Sequence, residues 1–391
     1  MSEYQYYEFL AIDRPLDAEQ VAQVRALSTR ARISPTSFIN EYQWGDFRGD
    51  PRALMERYYD AHLYFANWGT HTLMLRLPET LLNLATAQRY CDTDASSAHA
   101  AAGNVILALS SQDEGGEEDW EDGGPGPLAA LIGVRAELAA GDLRPLYLAW
   151  LAALSAGEYG DLSDLDDDDD PMREPPVPAG LNQLTAAQQT LAAFLRVDPD
   201  ILAAAAETSE AQSRHSSADP GLAARIKALP VKEKDAALLR LLSDKHPHAR
   251  AELLRALRPP TTDVPAQKED RRTVEQLLRA ADHRSSERAR AEERRRAEER
   301  ARREQKAAAA REQRLNDLAL RGDSPWQEVN SLIAMKKPRD YDTAVDLLTD
   351  LQALSRRDGD PTAFARKVAD LRALHQRKPA LIERLDKAGL E

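Results

Sequence analysis

Apolar positions recur along this chain with two different periods, and the change from one to the other divides it. From Tyr4 to Ile12 aromatic and aliphatic residues run together around a single charged residue, Glu8, which is a strand pattern. From Thr36 to Trp44 the alternation puts Phe38, Asn40, Tyr42 and Trp44 on one face, with Ile39, Glu41 and Gln43 on the other. Further strands are predicted over 70–77 and 104–109. Helices are predicted between them. Asp17 and Gln20 make a capping box ahead of Val21, Val24 and Leu27. Asp50-Pro51 starts a second helix, whose buried stripe reads Leu54, Met55, Tyr58, Ala61, His62 and Phe65. Residues 79–90 make a third. The alternation of strand and helix predicts an α/β sandwich over 1–126, with helix-connected strands partly parallel.

Beyond Pro127 only the helical period is present. A helical hairpin is predicted over 127–159, broken near Gly141-Asp142, and the strand-bearing region with this hairpin, residues 1–157, is expected to fold alone. An acidic, proline-rich linker follows over 160–180, where five consecutive aspartates precede Glu174-Pro175-Pro176-Val177-Pro178. A helical domain is predicted over 181–258, a second linker over 259–270, a charged helical rod over 271–320 and a helical bundle over 321–391. In the bundle Ala344, Leu347, Leu348, Leu351 and Leu354 stripe one helix, Phe364, Val368, Leu371 and Leu374 the next, and Leu381, Ile382, Leu385 and Ala388 the last. Trp326 is expected in its core. The fold class is therefore α+β: an N-terminal α/β sandwich, then mostly helical domains, with a long charged single helix before the C-terminal bundle.

Charge sharpens the division. The first 200 residues carry 33 acids and 13 bases, whereas the remaining 191 carry 32 acids and 39 bases. An Arg-rich tail of this kind is one footprint of nucleic-acid binding. Between Leu278 and Leu315, however, no apolar side chain is larger than alanine, so there is no seam for a coiled coil. Glutamate precedes arginine by four residues at Glu292 and Arg296, Glu298 and Arg302, and Glu299 and Arg303. From 284 to 306 ten bases stand against six acids and are expected to spread around the helix. This favours a solvated single-helix spacer over a phosphate-gripping one. No run of apolar residues reaches the roughly 20 needed to span a bilayer, and the start of the chain lacks a signal-peptide pattern. The one cysteine, Cys91, allows no intramolecular disulfide. A cytoplasmic protein without membrane contact is expected.

Three blocks carry a resemblance: Tyr4 to Leu16, Asn40 to Pro51 and Glu174 to Leu181. Through them the chain resembles a family of uncharacterised bacterial proteins, and that likeness implies no activity. Residues 341–351 and 377–390 are similar to the helical tail of bacterial SWIM zinc-finger proteins. One cysteine cannot supply the finger's ligands, so neither zinc nor DNA binding carries over.

Candidate chemistry is sparse. The aspartate run fails as a calcium loop: counted from Asp164, position six is Asp169 and position twelve is Pro175, where glycine and glutamate are needed. His62 beside Asp60, His71, His246 and His248 pair with no nucleophile at a readable spacing. No phosphate-binding glycine motif is present. No catalytic residue, metal ligand or cofactor is therefore assigned. The candidate partner-binding residues are Trp44, Asp46 and Arg48, in the loop between a strand and a helix, and Trp120 among the carboxylates of 113–122. The expected role is a non-catalytic scaffold or adaptor that binds protein partners through its terminal domains, at both ends of the rod. The alternative is a nucleic-acid-associated component using the Arg-rich half, and an enzyme of unrecognised type is a third.

Overall fold

The structure is a computed structural model, and it describes residues 4–113, 127–159, 171–210, 222–243, 248–257 and 271–390. It divides into two compact units, residues 1–287 and 288–391.

The first unit is built on a seven-stranded sheet. Its strands are β1 (Gln5–Leu10), β2 (Arg32–Ile33), β3 (Ser37–Tyr42), β4 (Ala61–Ala66), β5 (Thr70–Pro78), β6 (Ser96–Ala101) and β7 (Asn104–Gln112), in the order β2-β3-β1-β4-β5-β7-β6. Every pairing is antiparallel, which corrects the partly parallel sheet expected from the strand–helix alternation. The reason is local. The stripe read as one helix from Leu54 to Phe65 changes period midway: helix α2 (Pro51–Arg57) stops, and Ala61 starts β4. β4 and β5 then form a hairpin, as do β6 and β7. The second hairpin turns on Ala102 and Gly103, both with positive φ, the geometry that matches strand twist in a two-residue turn.

Two hydrophobic clusters cover the two faces of the sheet. On one, Phe9, Phe38 and Tyr42 pack with Val24 of α1 (Ala18–Arg25) and with Leu54 and Met55 of α2. The Asp17–Gln20 capping box forms, and Asp50 caps α2 ahead of Pro51. The predicted alternation over β3 holds through Tyr42, all of whose even-numbered residues are buried; Trp44 lies past its end.

The other face is covered from further along the chain. Leu63, Leu75 and Leu107 of the sheet join α3 (Leu84–Gln88), α4 (Pro127–Ala139), α5 (Arg144–Ser155), α6 (Ala186–Phe194) and α7 (Pro199–Thr208) in one cluster, which also takes in Val274, Leu277 and Ala281. Residues that the sequence pattern assigns to a hairpin, a linker, a helical domain and a rod thus share one core. Within the expected solvated linker, Glu174 and Pro175 are buried. Residues 172–174 run against 272–274, with Val274 N–H donating to Met172 O and Glu174 N–H to Arg272 O, both at 3.0 Å. The aspartate run and the second linker over 259–270 lie outside the described residues.

Helices α8 (Leu222–Ala228), α9 (Val231–Leu241) and α10 (Ala249–Leu257) complete this unit. Helix α11 (Val274–Leu320) is one unbroken 47-residue element, and the boundary between the two units falls within it. The second unit closes with α12 (Ser324–Ala334), α13 (Pro338–Asp358), α14 (Pro361–His375) and α15 (Pro379–Lys387) around Val329, Leu348, Val368 and Leu385. Trp326 packs against this core half-buried, its ring 5.7 Å from Phe364. The predicted helical bundle is present.

Candidate protein-binding surfaces

Three of the four candidate residues meet in one short loop. Buried Gln5 donates through Nε2 to Asp46 Oδ1 at 3.0 Å and to Gly45 O at 3.3 Å, and Gly45 takes φ +81° to make the turn. This pinning holds Trp44 outward at 67% exposure, with the Arg30 guanidinium 4.6 Å from its ring centroid. Arg48 is exposed on the same loop. Asp46 is thus a positioning group for the loop, while Trp44 and Arg30 stack on its exposed side. Trp120 lies outside the described residues. Trp68, 43% exposed in the β4–β5 turn, stands at the same end of the sheet. It was not among the candidates, because an aromatic in a turn gives no periodic signal.

Among the described residues, His62, His71, Asp13, Asp60 and Glu174 hold elements of the first unit together, while His246 lies outside the described residues. His62 stacks on Phe9 with centroids 3.9 Å apart and places Nδ1 2.9 Å from Glu8 O. Burial pushes its imidazole down to about 3 despite that bond. His71 packs on Phe194, its Nδ1 3.3 Å from Phe194 O. Burial pushes the Cys91 thiol up to about 12, so it is no nucleophile near neutral pH.

Two buried charge clusters tie distant segments. Asp60 accepts from the Ile12 and Asp13 amides and from Arg76. Asp13 accepts from Arg135 and contacts His248 Nε2, both at 2.6 Å. Burial alone would raise the Asp13 carboxyl, but His248 and Arg135 outweigh it and hold it at about 2. In the second cluster Glu174 takes a hydrogen bond from the Tyr147 hydroxyl and a forked pair from Arg272 at 2.8 and 2.9 Å. Among the described residues no group of three or more histidine, cysteine, aspartate or glutamate side chains is arranged to hold a metal ion.

Among the described residues, exposed large apolar side chains are densest on α9 and its C-cap Leu242. Its Ala236, Ala237 and Arg240 line a cavity of about 620 Å³ with Glu252, Leu253 and Ala256 of α10. The other side of the helix is bare: Val231 is 71% exposed, Leu238 57%, Leu239 72%, Leu241 41% and Leu242 84%. No residue of α8 or α9 is buried. α10 meets the sheet-bearing part of the unit through polar contacts: His248 with Asp13, Glu252 with the Thr80 hydroxyl at 3.1 Å, and Arg255 with Leu81 O. The helical domain predicted over 181–258 includes this segment, although four leucines within five residues cannot all fit one buried stripe.

No family model matches the chain, and comparison with curated proteins and with solved structures finds no similar protein.

Proposed function

We propose that this chain is a non-catalytic cytoplasmic adaptor that binds a protein partner along α9. The supporting observation is the bare face itself. Val231, Leu238 and Leu242 are spaced i, i+7, i+11, so they lie in one line on the helix. Contiguous exposed apolar patches on soluble proteins mark interaction sites. A seam of this length fits an amphipathic helix of the partner laid alongside, read through anchors at helical spacing. The pinned Trp44 with Arg30 adds a second contact point of the residue types that dominate interface energetics.

A photocrosslinker in place of Leu239 in the native host tests this. The expected crosslink joins α9 to an amphipathic helical segment of another protein, and L238D/L242D abolishes it. Because both leucines are exposed, that double variant should shift the melting temperature little. A concentration-dependent dimer lost in the same variant would assign the face to a second copy of the chain. A large drop in stability would show that the face is internal.

A further inference from the structure

One end of the C-terminal bundle carries charge of nearly one sign. The loop from α12 into α13 and the loop from α14 into α15 meet there, because Lys378 Nζ donates to Ile333 O at 3.1 Å. Residues 335–341 and 374–380 hold five lysines and arginines against one acid, Asp340. Lys336, Lys337, Arg339 and Arg377 are exposed, and among the described residues none of them makes an ion pair. The opposite end is balanced: 321–323 and 356–360 hold three bases and three acids, and Arg321, Lys367 and Arg357 are paired there. Helix dipoles do not account for the cluster. α12 and α14 end here, where bases are favoured, but α13 and α15 start here, where they are not. Lys337 and Lys378 are the N-caps of those two helices, and neither side chain caps them. Lys336 takes a φ of +55° just past the end of α12, a conformation that glycine holds with less strain, as Gly359 does at the end of α13. Two apolar side chains of the same segments, Met335 and Leu374, are 60% and 74% exposed.

We propose that this end of the bundle docks an acidic segment of a protein partner, one carrying aliphatic side chains among its carboxylates, independently of the α9 reading. Charge complementarity sets the sign of the occupant, since four exposed bases here have no carboxylate of their own. The apolar pair sets its kind. Aliphatic groups between the partner's carboxylates would cover Met335 and Leu374, and methionine's flexible thioether adapts to such contacts. Phosphate contact with a duplex would leave both side chains in water. An anionic membrane surface receives a broad apolar face with aromatic residues at the headgroup level, whereas the one tyrosine of these segments, Tyr341, is buried. A lysine held at the left-handed position past α12 costs stability that binding of this kind would offset.

The test is fluorescence anisotropy of the full chain with two labelled peptides, three repeats of Glu-Leu-Glu-Glu and three repeats of Glu-Ser-Glu-Glu. Binding is expected at low salt and should weaken as added salt screens the exposed charges. The leucine peptide should bind about 10-fold tighter than the serine peptide, and M335S/L374S should remove that difference. K336Q/K337Q/R339Q/R377Q should lose about 10-fold for both peptides. R321Q/R356Q/R366Q/K387Q, which removes four exposed bases elsewhere on the bundle, should lose under a third of that factor. All these positions are exposed, and circular dichroism checks that the bundle persists. Lys336→Gly is expected to weaken binding while raising the melting temperature, an outcome that misfolding cannot produce. Equal losses in the two quadruple variants would reduce the effect to net charge and overturn the proposal, as would no binding at low salt. Equal affinity for the two peptides, or tighter binding of duplex DNA or of anionic vesicles, would overturn the choice of occupant.

Discussion

His62 shows how a residue's place in the sheet sets its chemistry. Its ring lies flat on Phe9 with water excluded, so the neutral imidazole is strongly favoured in the folded state. Unfolded, it titrates near 6.5; folded, near 3. Between those values the unfolded chain binds a proton that the folded chain refuses, so stability is full above about pH 6.5 and falls as pH drops toward 3. At pH 5 the loss from this one group is about 2 kcal/mol. Hydrogen-exchange protection of the β1 and β4 amides, measured at pH 7 and 5, should fall by that amount more in the wild type than in His62→Gln. Equal pH dependence in both would mean His62 is protonated in place. A helix stripe was the sequence reading of this residue; the neighbours that displace its titration come from β1, more than fifty positions earlier.

At the scale of elements, the contact between residues 172–174 and 272–274 is held by a buried charge. Glu174 is 2% exposed and its two strongest partners are Arg272 and Tyr147. Removing Arg272 strands a carboxylate in the core, which costs about 3–5 kcal/mol. Arg272→Ala should therefore destabilise the first unit by that much in denaturant unfolding. Glu174→Gln paired with Arg272→Ala should recover part of the loss, since no uncompensated charge remains. A loss below about 1 kcal/mol in the single variant would mean that water reaches the carboxylate. Proline and acid content make 160–180 read as solvated chain, and the partner of residues 172–174 lies about a hundred residues further on. Elements with local signals fare better: the Asp17–Gln20 capping box, the β3 alternation through Tyr42 and the stripes of α13, α14 and α15 stand as read, apart from Leu374, which is 74% exposed.

For the whole molecule, the shared core decides what can fold alone. A fragment ending at residue 157 keeps every described strand but loses Leu191, Phe194, Ile201, Val274 and Leu277, which belong to the core cluster on that face of the sheet. Apolar area of that size left in water removes roughly 1.5–3 kcal/mol per side chain. Residues 1–157 should accordingly fail to melt cooperatively, whereas 1–287 should show a single sharp transition by calorimetry. A cooperative transition in the shorter fragment would show that the sheet and α4–α5 suffice.

Sequence periodicity alone determined the α+β class, the helical C-terminal bundle and the continuity of α11, because each rests on contacts between residues a few positions apart. The turn that carries Trp44, Asp46 and Arg48 was legible from its flanking glycines, whereas the Gln5 side chain that pins it comes from about forty positions earlier. The antiparallel order of the sheet, the burial of Glu174, the reach of the core to Ala281 and the bare leucines of α9 were decided by the tertiary structure. In each of these, burial or exposure depends on where residues remote in the chain come to lie, and a pattern of local period carries no record of that.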